Sequence, residues 1–495
     1  MRKSALSCTL ALAMAGWAGL ADAGNRPFPQ NASYANFLKA NHPNSNTNAL
    51  RAADIKAYYN QWKTDYLKLV TTQQGTAIAY VAGPATGSVP DSWPDGSKIV
   101  SASEHTGYGM LLTVLMDGVN GANSEKDEFD KLLKTHQKIR TSTNANSKLM
   151  SWAIGMNADD KIDESLRDSS ATDGDMDIAL ALLMADKQWG SGGANPNYLQ
   201  IAKDLISSIA AFTVSRDAFG QRLNLGDWTP ALNSNDLEDW YGDSNCDGDK
   251  SDTFKGLIYH SSRPSDWMMG HFAVFQKRLP SDFFVAGPGY SLQNMSSLNS
   301  AMRTEIHRMY DSYLHKPADG WDKGLVPDFV LPKVNGNGAQ VDNKIIRPAC
   351  DLFLGEPFKT SMYSENSARV PWRITSDAVV SGSTKSRDWA RRLAAFSMSK
   401  AKNGAAYQWT RIGSTYKLNG DVQTAAHGKH FASMFITSLM TAKGAANQAE
   451  AQKALDAGWA WMKTNREGPG GNDGYFKDSL TLFSMLLTSQ NVWWE

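Results

Sequence analysis

The sequence predicts an all-α protein in which helical hairpins are arranged in a ring or superhelix. Helical apolar spacing recurs along the chain, strand-like alternation is scarce and short, and the connecting loops are long and carry Gly, Asn and Trp. No fixed period marks a simple repeat solenoid.

Residues 1–23, MRKSALSCTLALAMAGWAGLADA, set Arg2 and Lys3 before an apolar run that ends on Ala21-Asp22-Ala23. This is the three-part pattern of a secretory signal peptide, so an exported, soluble chain beginning near Gly24 is expected. The run is short for a membrane span, and no later stretch has about 20 consecutive apolar residues. Residues 24–47, rich in Asn and Pro, read as an irregular lead-in. Leu50, Ile55, Tyr58, Tyr59, Trp62, Tyr66, Leu67 and Val70 then fit one amphipathic helix ending before Gly75. Gly and Pro around Trp93 make 81–97 a surface loop.

A second apolar helix follows in SASEHTGYGMLLTVLMDGVNG, with Glu104 in its approach and Gly118 as its C-cap. Gly107 and Gly109 in its first turns each cost about 1 kcal/mol against Ala, which implies that something approaches the backbone closely there. Further helices are expected over 124–139, 175–189, 197–214, 265–277, 295–314, 385–402, 428–443, 449–464 and 477–488. The stretch from Asp351 to Asp377 reads as neither a clean helix nor a strand. It combines Glu356, Glu365, Arg369 and Arg373 with Tyr363 and Trp372, a mixture suited to a polar groove or to inter-helix ion pairs.

Cleavage after residue 23 leaves 48 Lys and Arg against 49 Asp and Glu, a balance that favours neither nucleic acid nor an anionic membrane. Cys8 leaves with the leader, and Cys246 and Cys350 are then either one disulfide or two thiols. The 16 Trp and 16 Tyr suit stacking on sugar faces, although any one of them is more often a core residue. The loop from Asp243 has oxygen ligands at Asp243, Asn245 and Asp247 and a glycine at 248, as a calcium loop would. Its twelfth position is Phe254 rather than a bidentate acid, so a solvated acidic loop without metal is expected.

Chemistry concentrates in SSATDGDMDIALALLMADKQW, from Ser169 to Trp189, where Asp173, Asp175 and Asp177 alternate at a helix start beside one glycine. Acids there cap free N–H groups and complement the helix dipole, but one would suffice. Three clustered carboxylates repel unless a substrate, cation or proton separates them, which points to a site.

With Glu104 in SEHTGYGM, the Ala171–Trp189 stretch, NSARVPWRITSD and GYFKDSLTLFSMLLTS on the page, nearly all of the mature chain resembles glycoside hydrolase family 8. His105 stands where that family usually has Gly. The resemblance implies an (α/α)6 barrel with a substrate cleft across one end, residues 24–495 forming a single catalytic domain. It also implies Glu104 as proton donor, Asp173 as the carboxylate gripping the sugar, and Arg369 in the cleft. The family's commonest base position holds Asn366, and an amide cannot take a proton from water. The resemblance to an Asn-containing subgroup implies a Glu in the preceding loop instead, with Glu356 the better match and Glu365 the second candidate. Trp152 and Trp228, in polar loops, are the first choices for stacking platforms, with Tyr363, Trp372, Trp240 and Trp267 also considered.

The leading expectation is a secreted, monomeric inverting endo-β-1,4-glucanase acting on cellulose or mixed-linkage β-glucan, with no cofactor and no metal. Inversion needs one protonated carboxyl and one ionised carboxylate roughly 6.5–9.5 Å apart. The alternatives are a chitosanase acting on β-1,4-linked glucosamine and a non-hydrolytic polysaccharide-binding or lyase-like barrel.

Overall fold

The computed structural model describes residues 25–45, 47–84, 88–217, 220–229, 259–287, 289–333, 345–471 and 473–494. The leader, Cys246, Trp240 and the Asp243 loop lie outside the described residues. Twelve α-helices are present among those described: α1 (Asn48–Tyr66), α2 (Ser103–Met116), α3 (Lys126–Lys138), α4 (Thr172–Trp189), α5 (Tyr198–Thr213) and α6 (Met269–Arg278) come first. They are followed by α7 (Met295–Met309), α8 (Val370–Ser381), α9 (Thr384–Ala401), α10 (Lys429–Ser438), α11 (Gln448–Met462) and α12 (Gly474–Thr488). The even-numbered helices pack side by side as an inner ring, and each is backed by an odd-numbered partner, α1 covering α12. Tyr108 of α2 closes the ring against α12, with ring centroids 6.3 Å from Tyr475 and 5.2 Å from Phe483. This is an (α/α)6 barrel.

Inner helices are buried on every side, which explains what their sequences look like. An amphipathic stripe exists only where one face meets water. In α2 every residue but Glu104 is buried, and in α8 Val370 through Ala378 are all buried, Arg373 and Asp377 included. The 351–377 stretch therefore corrects the sequence reading: its last part is an inner-ring helix with proline in its first turn, where a missing N–H is tolerated.

Other departures are local. The first helix stops at Tyr66, and Leu67–Thr71 instead pairs antiparallel with Ala77–Val81 across a turn at Gly75, whose φ is +83°. The 265–277 helix is a short 3-10 turn followed by α6. That over 295–314 ends in a π turn at Tyr310–Leu314. The 175–189 helix begins three residues earlier than expected, so Asp173 and Asp175 both lie in its first turn.

The glycines do meet a close neighbour. A Cβ on Gly107 would lie 2.8 Å from Asp177 Cβ, and one on Gly109 would lie 2.7 Å from Val81 Cγ2. On the facing helix, a Cβ on Gly174 would lie 2.4 Å from Ser103 Oγ and 2.6 Å from the Ser103 carbonyl carbon. Helices α2 and α4 thus cross backbone to backbone, which holds their first turns, and so Glu104 and Asp173, together. Gly174→Ala should therefore destabilise the protein by about 1–3 kcal/mol through overpacking, read as a lower urea midpoint. A wild-type midpoint would show that the helices separate freely.

Candidate active site

The first turns of α2 and α4, the 3-10 turn before α8 and the loop around Glu356 open on one cleft of about 550 Å³. It brings together Glu104, Asp173, Glu356, Glu365, Asn366, Arg369, Trp152 and Trp228. Trp152 is held by its indole N–H, which donates to Asp168 at 2.8 Å, and both tryptophans are half-buried.

Tyr363 and Trp372 are corrections. Tyr363 is fully buried and stacks on Phe435 at 5.3 Å. Trp372 lies on the barrel axis, stacked on Phe483 at 4.6 Å with the Arg373 guanidinium 4.1 Å from its ring. Neither ring has a face to offer a sugar. Trp267 is likewise core, its indole donating to Ser262.

At the centre, Arg369 Nη1 donates to Glu104 Oε2 at 2.5 Å and to Asp173 Oδ2 at 2.9 Å. A second cation, Arg263, which the sequence reading missed, meets the same Asp173 oxygen at 2.9 Å and Asp266 at 2.9 Å. Its only sequence signal is an Arg three residues before an Asp, which suggests a local pair and not a cleft residue. Part of the cleft wall is apolar, from Leu225, Phe329, Leu354, Phe358 and Phe476, and was also unforeseen.

These neighbours separate the carboxylates electrostatically. Burial pushes Glu104 up to about 7, reinforced by the charge of Asp173 and opposed by Arg369 and Arg263. Asp173 is the more deeply buried of the two, but Arg263 and Arg369 outweigh that effect and hold it below the ordinary carboxylate range. Glu356 is raised by burial, against the lowering effect of Arg263, Arg369 and the Asn366 side chain. For Glu365, burial is overcome by His430, whose Nε2 lies 2.7 Å away, and its pKa falls. His105, the family departure, is pushed down to about 3 by burial and is neutral. Its Nδ1 lies 3.2 Å from the Val81 carbonyl, and its ring packs 3.8 Å from that of Tyr475.

The other two acids of the Ser169–Trp189 stretch point away from the cleft. Asp175 accepts from the Met150 N–H at 2.8 Å, and burial raises it well above its usual value. Asp177 is gripped by Arg373 at 2.8 and 2.7 Å and lies 2.7 Å from His271, a pairing of α4, α6 and α8 beneath the site. Among the described residues no cluster of three His, Cys, Asp or Glu side chains could hold a metal ion, and no helix is long and apolar enough to cross a membrane. Cys350 is disulfide-bonded.

Residues 27–235 match the family model described as glycosyl hydrolases family 8. An endoglucanase of Bacillus sp. strain KSM-330 is 35% identical over 475 residues, covering 95% of this chain and 82% of that one. The chain belongs to glycosyl hydrolase family 8. A β-glucanase of Niallia circulans is 31% identical over 500 residues, covering 99% of this chain and 97% of that one. A solved apo structure of a β-1,3-1,4-glucanase from Paenibacillus sp. X4 has a TM-score of 0.70 at 30% identity, covering 96% of this chain and all of that one. Membership makes the protein a glycoside hydrolase and sets aside the non-hydrolytic barrel.

Removing the buried anion beneath the site should be costly to this hydrolase. Asp177→Ala leaves Arg373 without its bidentate partner, and a loss of about 3–5 kcal/mol is expected, measured by equilibrium denaturation. Arg373 and His271 overcome burial and hold the folded pKa of Asp177 below its unfolded value. Its stabilisation is therefore present above the ordinary carboxylate range and disappears as pH falls through the folded pKa. A variant as stable as wild type at neutral pH would contradict this.

Proposed function

We propose that the protein is a secreted inverting endo-β-1,4-glucanase that hydrolyses cellulose or mixed-linkage β-glucan, acting as a monomer from a single catalytic domain of residues 24–495. The observation that carries the chemistry is Glu104, a cleft carboxyl pushed up to about 7 beside an Asp173 held ionised. The glucanase names of the full-length relatives support the substrate. The leader-like residues 1–23 and the Cys350 disulfide both suit an oxidising compartment outside the cytoplasm.

In this reading Glu104 protonates the glycosidic oxygen while the C–O bond breaks. Arg369 occupies Oε2 and only donates, which leaves Oε1 to carry the proton. Asp173, fixed by two guanidiniums, grips the sugar at the cleavage point. Glu356 removes a proton from a water that attacks the anomeric carbon from the opposite face, so the product is born as the α-anomer. Glu365 is the weaker candidate for base because its carboxylate is committed to His430. Trp152 and Trp228 offer the stacking faces.

Glu104→Gln and Glu356→Gln should each lower kcat by about 100-fold or more while substrate still binds. Near-normal turnover of Glu356→Gln would transfer the role to Glu365. Reducing sugar should be released from carboxymethylcellulose or lichenan. Release from chitosan alone would make the enzyme a chitosanase, and release from none of the three would overturn both substrates.

The alkaline limb of kcat/KM should lie near pH 7, because activity needs Glu104 protonated. Asp173→Asn removes a charge that raises the Glu104 pKa and frees Arg369 to act on Glu104 alone. Both changes lower it, so in the residual activity that limb should move to lower pH. A limb that stays or rises would refute the electrostatic account.

A further inference from the structure

His105 follows Glu104 in the first turn of α2 and lines the same cleft, yet the proton transfers leave it without a role. Only 4% of the residue is exposed, so the protein around it fixes most of the ring. Nδ1 lies 3.2 Å from the Val81 carbonyl, which only accepts hydrogen bonds. Ser101 Oγ, 3.4 Å from the same nitrogen, gives its own proton to that carbonyl at 2.6 Å. The single proton of the neutral ring therefore sits on Nδ1, and Nε2 carries a lone pair.

Packing holds the ring in this orientation. Tyr475 covers one face, with ring centroids 3.8 Å apart. Gly83 closes the Cε1 edge, where a Cβ on that glycine would lie 3.1 Å from the imidazole carbon. A half-turn of the ring would take Nδ1 off the carbonyl and set a carbon there, which leaves a buried acceptor unpaired. The edge that remains carries Nε2. That nitrogen has no hydrogen-bond partner among the described residues, and they do not seal it from the cleft.

We propose that His105 Nε2 accepts a hydrogen bond from a hydroxyl of the polysaccharide bound in the cleft, which makes His105 a substrate-binding residue next to the proton donor. The contact rests on the hydrolytic reading of this cleft. It is selective by chemistry, because a lone pair held in place takes a donor and rejects a second acceptor. Each unit of a β-linked sugar chain carries hydroxyls able to donate. Arg263 and Arg369, the cations of the same cleft, only donate, so His105 supplies the opposite polarity without adding charge.

Two variants separate the two ring nitrogens. In His105→Asn the amide nitrogen falls near the place of Nδ1 and still donates to Val81, but nothing replaces Nε2. In His105→Gln the longer side chain brings an amide oxygen to the place of Nε2. Initial rates are measured on whichever of lichenan, carboxymethylcellulose and chitosan the wild-type protein hydrolyses, with thermal melting recorded alongside. His105→Asn should raise KM about 3- to 10-fold with kcat within about 2-fold of wild type, the pattern of a contact made equally in ground and transition states. His105→Gln should bring KM back to within about 2-fold of wild type. A wild-type KM in His105→Asn overturns the contact. So do equal KM values in the two variants with both melting at lower temperature, which is what a merely structural ring would give. Absence of wild-type turnover on all three substrates marks the separate failure of the hydrolytic reading, and the contact falls with it.

Discussion

A single guanidinium, that of Arg369, is shared by a carboxylate from α2 and a carboxylate from α4, and the site depends on that sharing. Glu104 and Asp173 would repel strongly in a buried cleft, and two acids that cannot both ionise freely must divide their protons. Asp173 touches both Arg369 and Arg263, whereas Glu104 touches Arg369 alone, so the unequal neighbours decide the division. Asp173 stays ionised and Glu104 is raised to about 7. Asp266 is raised as well, mainly by burial, but it lies behind Arg263 and does not line the cleft. The acid able to deliver a proton near neutrality is thus the one exposed to a substrate.

The backbone makes this pairing possible. Two carboxylates can share one guanidinium only if the first turns of α2 and α4 come closer than ordinary side chains allow, and Gly107 and Gly174 provide that approach. Beneath them Asp177 binds Arg373 and His271 across the barrel axis, tying α4 to α6 and α8. A buried ion pair of this kind adds little net stability, but it penalises any arrangement in which one partner is left alone. In this barrel it fixes the register of three inner helices, and with it the height at which Asp173 and Arg369 face each other.

Much of this was legible in the sequence, for identifiable reasons. The outer helices expose one face to water, and their apolar spacing showed them within a few residues. Glycines in the first turns of α2 announced a close approach, and the run of alternate acids announced a site. The inner helix α8 was not legible because, unlike the apolar runs that reveal other inner helices, it mixes Pro371, Arg373 and Asp377 among its buried residues and shows neither a run nor a period. Tyr363 and Trp372 were misplaced because an aromatic ring beside arginines and acids looks the same whether it lines a cleft or fills the barrel axis. Arg263 was missed because its partners apart from Asp266, namely Asp173 and Asn366, are 90 and 103 residues away in the chain.

Residue types alone determined the helical class, the glycines that permit a close crossing, and an amide at position 366 that cannot serve as a base. Those properties belong to single residues and their near neighbours, where hydrogen-bonding capacity and chain geometry are fixed by chemistry. Only the tertiary structure decided what Asp175 and Asp177 bind, which acid is raised and which lowered, and which way the Asn366 amide points. Each of those depends on charges and donors brought within about 3 Å from other helices, and Coulomb energies at such separations in a buried site outweigh any preference the local sequence carries.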